Sequence, residues 1–264
     1  MMGLATLFEG TRAEGRAALV GYLPAGYPTV DASIELLKGM IDAGCDLVEV
    51  GVPYSDPVMD GPVIQAAAVE ALGNGFRLRD VFRVVEAVSA HGGKAVVMTY
   101  WNPVHRYGVD AFSRDLAAAG GLGIITPDLI PDEAAEWMTA STEHGLDRIF
   151  LVAPSSSDER IASTVKASSG FVYATAVMGV TGARDAVGSA AAGLVARTRA
   201  HTTLPVAVGL GVRSGAQAAE VAAFADAVIV GSAFVTRAAS GVDSVRELAA
   251  ELAAGVRKAP TPIG

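Results

Sequence analysis

Short runs of consecutive apolar, largely β-branched residues alternate along the chain with longer stretches whose apolar positions recur at helical spacing. The runs read as strands over Ala18–Leu23, Leu47–Gly51, Ala95–Tyr100, Gly123–Ile125, Arg148–Val152, Val172–Ala176, Pro205–Val208 and Ala227–Val230. Between them, Ile34-Leu37-Ile41, Val81-Val84-Val85-Val88 and Val245-Leu248-Leu252 repeat at the steps that line one face of a helix. Most runs lack the alternation of a half-exposed strand, so both of their faces are expected to be buried, as in a parallel sheet covered by helices. Eight strand–helix units in a chain of 264 residues predict a single domain, residues 1–264, folded as a (β/α)8 TIM barrel with an extra N-terminal helix. A doubly wound open sheet is the competing architecture. It usually has fewer strands and a Gly-rich turn after the first one, where this chain reads GYLPAGYP.

Two inter-strand loops stand out as candidate lids. One follows the second strand, Val52–Pro62, and the other follows the sixth, Met178–Ser189, reading MGVTGARDAVGS. Loops after barrel strands lie on the face where active sites sit, and their Gly, Pro and small polar residues suit opening and closing.

Composition narrows the setting. Apolar residues make up 51% of the chain and mean hydropathy is +0.40, yet no run of roughly 20 apolar residues could span a bilayer. The start, MMGLATLFEGTRAEGR, shows no basic segment followed by an apolar one, so no signal peptide is expected. The single cysteine, Cys45, rules out an internal disulfide and fits a reducing compartment, which makes a cytoplasmic location the expectation. A formal net charge of −8 without any Lys/Arg cluster interleaved with aromatics argues against nucleic-acid binding.

Chemistry concentrates in LVEVGVPYSDPVMDGPV, residues 47–63. In a barrel strand, Val48 and Val50 would face the helices and Glu49 the interior. Enclosure among apolar neighbours disfavours a carboxylate's charged form and brings its pKa toward neutrality, which suits a group that both gives and takes a proton. The competing reading is a core glutamate paired with an arginine. Asp56 and Asp60 lie on the following loop, where an aspartate is often a turn former or helix cap. Spacing alone does not choose between them as a partner for Glu49.

Gly179-Val180-Thr181-Gly182, Gly209-Leu210-Gly211 and Gly231-Ser232 follow the sixth, seventh and eighth strands. Glycines there let backbone N–H groups approach a phosphate, and phosphate sites in such barrels are built from the loops after strands seven and eight and a short helix N-terminus. Lys38, Lys94, Lys166 and Lys258 avoid the strand ends, which disfavours a Schiff base. His91, His105, His144 and His201 have no metal-ligand spacing. Acid–base chemistry on a small phosphorylated molecule remains, with Tyr22, Tyr100 and Tyr173 available either to line a pocket or to pack.

EVGVPYSDPVMDGPVIQ closely resembles the signature of the tryptophan synthase alpha chain family, and the likeness continues through LVGYLPAGYPT, MTYWNPVHRYG, TPDL, GVTGAR, GLGV and VIVGSA. The resemblance implies retro-aldol cleavage of indole-3-glycerol phosphate to indole and glyceraldehyde 3-phosphate. It implies Glu49 as the general acid/base and Asp60 as the partner of the indole N–H, with Thr181 helping to position Asp60. Tyr22, Tyr100, Ile125 and Tyr173 would surround the indole and glycerol parts, and Gly182, Gly211, Gly231 and Ser232 the phosphate. It further implies no cofactor or metal in this chain, and a beta chain carrying pyridoxal phosphate in a complex of two alpha and two beta chains. Val52–Pro62, the Asn102 region and Asp128 would face that partner. Met59 and Ile130 depart from the family pattern, where a small residue and a second proline are common. The alternative activity is a stand-alone lyase that releases free indole.

Overall fold

The computed structural model describes residues 3–176 and 184–258. Nine strands form one sheet: β1 (Ala18–Pro24), β2 (Leu47–Gly51), β3 (Ala95–Met98), β4 (Gly123–Ile125), β5 (Asp147–Ile149), β6 (Leu151–Val152), β7 (Val172–Thr175), β8 (Val206–Gly209) and β9 (Ala227–Val230). Their order is β5-β4-β3-β2-β1-β9-β8-β7-β6, and neighbouring strands pair in parallel. β5 and β6 are two halves of one strand, separated by Phe150 alone. The two ends of the sheet are therefore one stretch of chain, and the ring closes with eight strands, as the strand–helix count predicts.

The departures from expectation are local. The fifth strand is broken at Phe150, whose carbonyl still accepts from Tyr173 N–H at 3.1 Å across the gap. The third strand ends at Met98 rather than Tyr100, because Tyr100 becomes the N-cap of the helix Trp101–Tyr107. Pro103 falls in that helix's first turn, where its missing N–H costs no bond. The loop after β7 is shorter than Met178–Ser189, since the Ala-rich helix Arg184–Arg199 begins inside it.

The alternation of side chains along each strand divides the core into two parts. Val48, Val50, Val97, Ile124, Val208 and Val228 face outward and pack on the helices. Val20, Leu47, Val96, Ile125, Ile149 and Ala207 fill the barrel interior. The N-terminal helix Leu4–Ala13 closes the floor, placing Leu4, Leu7 and Phe8 in the interior cluster with the Phe8 and Phe171 ring centroids 5.7 Å apart. At the N-terminal ends of the strands, Arg16 forms a two-pronged bond with Asp46 (2.8 Å each), which also accepts from Leu19 N–H. That face is built for stability and leaves the opposite face for chemistry.

One helix contact fixes the geometry near the later strand tips. A Cβ on Gly255, in the helix Val242–Lys258, would lie 2.8 Å from the carbonyl carbon of Gly215, at the start of the helix Gly215–Ala222. Alanine at 255 gains about 1 kcal/mol in helix propensity. It must also push two backbones apart, and overpacking of this kind costs roughly 1–3 kcal/mol. Because backbone cannot rotate out of the way, Gly255→Ala is expected to lower the thermal midpoint by several degrees. An unchanged or raised midpoint in a melting scan would show that the two helices can separate freely.

Candidate active site

β2 places Glu49 where its sequence requires. Val48 and Val50 are fully buried against the helices, and Glu49, between them, points into the barrel at 1% exposure. Neither of its carboxyl oxygens has a hydrogen-bond partner among the described residues, so the arginine pairing considered from the sequence is not formed there. With no donor to favour the anion, burial alone moves its pKa from the ordinary 4.5 up to about 8.

Above Glu49 opens a cavity of about 470 Å³ on the C-terminal face of the barrel. Tyr22, Tyr173 and Asp60 share its wall with Glu49, and Ile64, Met98, Leu151 and Ile229 make it largely apolar. The two tyrosine rings sit over glycines. A Cβ at Gly51 would lie 2.6 Å from a Tyr22 ring carbon, and one at Gly209 would lie 3.0 Å from Tyr173 ring carbons. The missing side chains at the ends of β2 and β8 thus make room for the pocket's aromatic walls. Burial pushes both phenols well above their usual pKa, with the nearby charge of Asp60 adding to the effect at Tyr22, and keeps them protonated.

The structure separates the two loop aspartates. Asp56 is exposed and accepts from the Ser55 hydroxyl at 2.6 Å, outside the cavity wall. Asp60 is half-buried and lines the cavity. It does not cap the next helix: Gly61 is the N-cap and Pro62 the first residue of Pro62–Gly73. Burial raises the Asp60 pKa, and the neighbouring Tyr100 hydroxyl partly offsets that rise. Tyr100 also accepts from Met59 N–H at 3.0 Å, pinning the loop that carries Asp60.

Gly211, Gly231 and Ser232 border the cavity at the tips of β8 and β9. Gly211 has φ +70°, a left-handed conformation that glycine adopts freely. Two expected pocket residues lie elsewhere. Ile125 is wholly buried in the interior core with Leu47 and Ile149, and the Tyr100 hydroxyl contacts Asp60 and the Met59 N–H of its loop; neither residue borders the cavity. Thr181 and Gly182 lie outside the described residues. Sequence reasoning passed over Ile64, Leu151, Leu210 and Arg213, all of them in the wall. Arg213 carried the one usable signal, a cation two positions after Gly211. Asp110, Glu143 and His144 come together at the surface, but none of them borders the cavity.

Around the mouth, the loops after β2, β3 and β4 are locked to one another. Asn102 donates to the Tyr54 hydroxyl at 3.0 Å and Trp101 N–H donates to Asp128 at 2.8 Å. Val58, Met59, Val63 and Ile130 expose apolar side chains on these loops and at the start of the following helix.

The model of the family described as tryptophan synthase alpha chain matches residues 8–261. A tryptophan synthase alpha chain of Nocardia farcinica is 66% identical over 256 residues, covering 97% of this chain and 96% of the relative. One from Mycobacterium marinum is 64% identical over 259 residues, 98% of this chain and 96% of the relative. A solved structure of Mycobacterium tuberculosis tryptophan synthase superposes with a TM-score of 0.92 at 63% identity, covering 96% of this chain and 98% of that one.

Proposed function

The chain belongs to the tryptophan synthase alpha chain family, and from that premise we propose that Glu49 and Asp60 are the acid–base pair with which it cleaves indole-3-glycerol phosphate. Indole is a poor leaving group as a C3 carbanion. Protonated Glu49 delivers its proton to indole C3, which turns the ring into a cationic leaving group. The ionised carboxylate of Asp60 accepts the indole N–H and balances the ring charge. Glu49, now a carboxylate, takes the proton of the glycerol hydroxyl next to the breaking carbon–carbon bond. The bonding electrons return to the ring, and indole and glyceraldehyde 3-phosphate form. Glu49 ends the cycle as it began.

The observation that carries this reading is a carboxyl group with no partner among the described residues, buried at 1% exposure, in one cavity with a second acid. Its pKa of about 8 leaves it a proton to give at neutral pH and lets it accept one back. Backbone N–H groups of Gly211, Gly231 and Ser232, with Gly182, hold the phosphate. Tyr22 and Tyr173 flank the indole and glycerol. Ile125 supports this wall from the core, and Thr181 helps to position Asp60. No step calls for a metal or organic cofactor in this chain.

As an alpha chain, the protein works with a beta chain. We place that partner on the face formed by Val52–Pro62, Asn102 and Asp128, where interlocked loops and exposed Val58, Met59 and Ile130 support a docking surface. The assembly holds two alpha and two beta chains, the beta chain carries pyridoxal phosphate, and indole passes to it for L-tryptophan synthesis. Among the described residues no helix is long and apolar enough to cross a membrane. Together with the lone buried Cys45, this fits a cytoplasmic enzyme.

An indole-release assay on indole-3-glycerol phosphate, with and without a beta chain, tests the reading. Cleavage is expected, weak in the isolated chain and stimulated by the partner. Stimulation below roughly threefold, under ~1 kcal/mol of coupling, would point instead to a stand-alone lyase. No cleavage in either form would remove the activity altogether.

A further inference from the structure

We propose that Arg213 is the phosphate-binding cation of this site and sets its preference for a phosphorylated substrate; the inference rests on the reading of the cavity as an indole-3-glycerol phosphate site. The cavity wall contains two carboxylic acids, Glu49 and Asp60. Among the described residues that line it, Arg213 is the one with a cationic side chain. The whole chain carries a formal charge of −8. Bringing a phosphate dianion into this cavity sets it against the charge of Asp60 and of the protein at large. Backbone N–H groups at Gly211, Gly231 and Ser232 can hydrogen-bond phosphate, but they bring no countercharge. Arg213 does.

Its placement fits that task. The Arg213 backbone N–H donates to Gln217 Oε1 at 2.8 Å, Gln217 N–H donates to the Ser214 hydroxyl at 3.3 Å, and Gly215 N–H donates to Glu251 Oε1 at 2.8 Å. The loop from Gly211 is thereby tied to two helices, so the guanidinium extends from an anchored root. Other arginines on the surface are already committed: Arg160 to Asp132, Arg197 to Asp158 and Arg199 to Asp226. The guanidinium of Arg213 makes no hydrogen bond or ion pair with any described residue, and Arg213 is exposed beside the glycine-lined strand tips. A planar fork of N–H donors that is positively charged, unpaired among the described residues and next to the glycines is suited to bidentate contact with a phosphate.

Arg213→Ala and Arg213→Lys, each assayed with the beta chain, test this. KM for indole-3-glycerol phosphate should rise about tenfold in the alanine variant, while kcat stays within about twofold. Lysine should recover part of the loss, because it keeps the charge and loses the fork. Inhibition by inorganic phosphate should weaken in parallel with KM, and inhibition by indole, which has no phosphate, should not change. Because the side chain is exposed, the melting temperature should match that of the wild type. Unchanged KM and unchanged phosphate inhibition in Arg213→Ala, with normal cleavage by the wild type, would overturn the proposal and leave the functional reading intact. A wild type that fails to cleave the substrate would overturn the functional reading; the phosphate titration of the two proteins would still decide whether Arg213 binds phosphate.

Discussion

Glu49→Gln is expected to cut indole release from indole-3-glycerol phosphate by about 10³–10⁴-fold and, in the same protein, to flatten the dependence of stability on pH. Both effects come from one fact: a fully buried carboxyl group without a partner among the described residues. Glutamine keeps the size and removes the proton that the leaving group needs. The stability effect has a definite sign. Between pH 4.5 and about 8, folded Glu49 holds a proton that the unfolded chain has released. Its contribution is therefore complete below pH 4.5 and is lost as pH rises through that window, at about 1.4 kcal/mol per unit and on the order of 5 kcal/mol across it. The amide introduced by the substitution is also unpaired, but that cost does not vary with pH, so the slope is the diagnostic quantity. Urea unfolding at pH 5 and pH 8 should show the wild type losing more stability than the variant over this interval. In the wild type, kcat/KM should also decline above about pH 8 as Glu49 ionises. Parallel unfolding curves, or a variant retaining more than about a tenth of the rate, would mean that this carboxyl group neither stores nor delivers the proton.

How much of this could be read in the chain follows from the physics of each element. Strands buried on both faces leave uninterrupted apolar runs, so β2, β4 and β9 were legible to the residue. Glu49 was legible for the same reason, since a carboxylate is seldom buried inside such a run unless it is paired or put to use. The break at Phe150 was invisible because Phe150 sits inside the continuous apolar run Ile149–Val152, which carries no turn residue to mark it. The end of β3 was missed because Tyr100 is an ordinary strand residue until the turn at Trp101 puts it to work as a helix cap. Asp56 and Asp60 share turn-rich surroundings, and no local rule separates them; only the packing of the loop on Tyr100 brings Asp60 to the cavity. Tyr100 and Ile125 do not border the cavity: the Tyr100 hydroxyl holds the loop that carries Asp60, and Ile125 is buried in the interior core, placements that depend on packing rather than on residue type. The floor helix Leu4–Ala13 completes the interior from below, which is why the cavity can open only at the upper face.

Asp60→Asn is expected to lower kcat by about 10²–10³-fold while leaving the fold and its loops in place. Asparagine preserves the shape at the mouth of the helix Pro62–Gly73 and removes only the charge opposite the developing indole cation. The Tyr100 hydroxyl gives a graded version of the same test. Burial raises the Asp60 pKa, and Tyr100 holds it back. Tyr100→Phe should therefore let that pKa climb, so the acid limb of the activity profile moves to higher pH, because a protonated Asp60 no longer opposes positive charge on the ring. It should also loosen the loop by freeing the Met59 N–H. Asp56→Asn, altering an exposed carboxylate bonded to Ser55, should leave cleavage by the isolated chain essentially unchanged. Steady-state cleavage by the three variants from pH 5 to 9 separates the possibilities. If Asp56→Asn and Asp60→Asn lose rate equally, the effect belongs to the loop as a whole. If Asp60→Asn keeps the wild-type rate, the ring cation is balanced by something other than the acid that shares the cavity with Glu49.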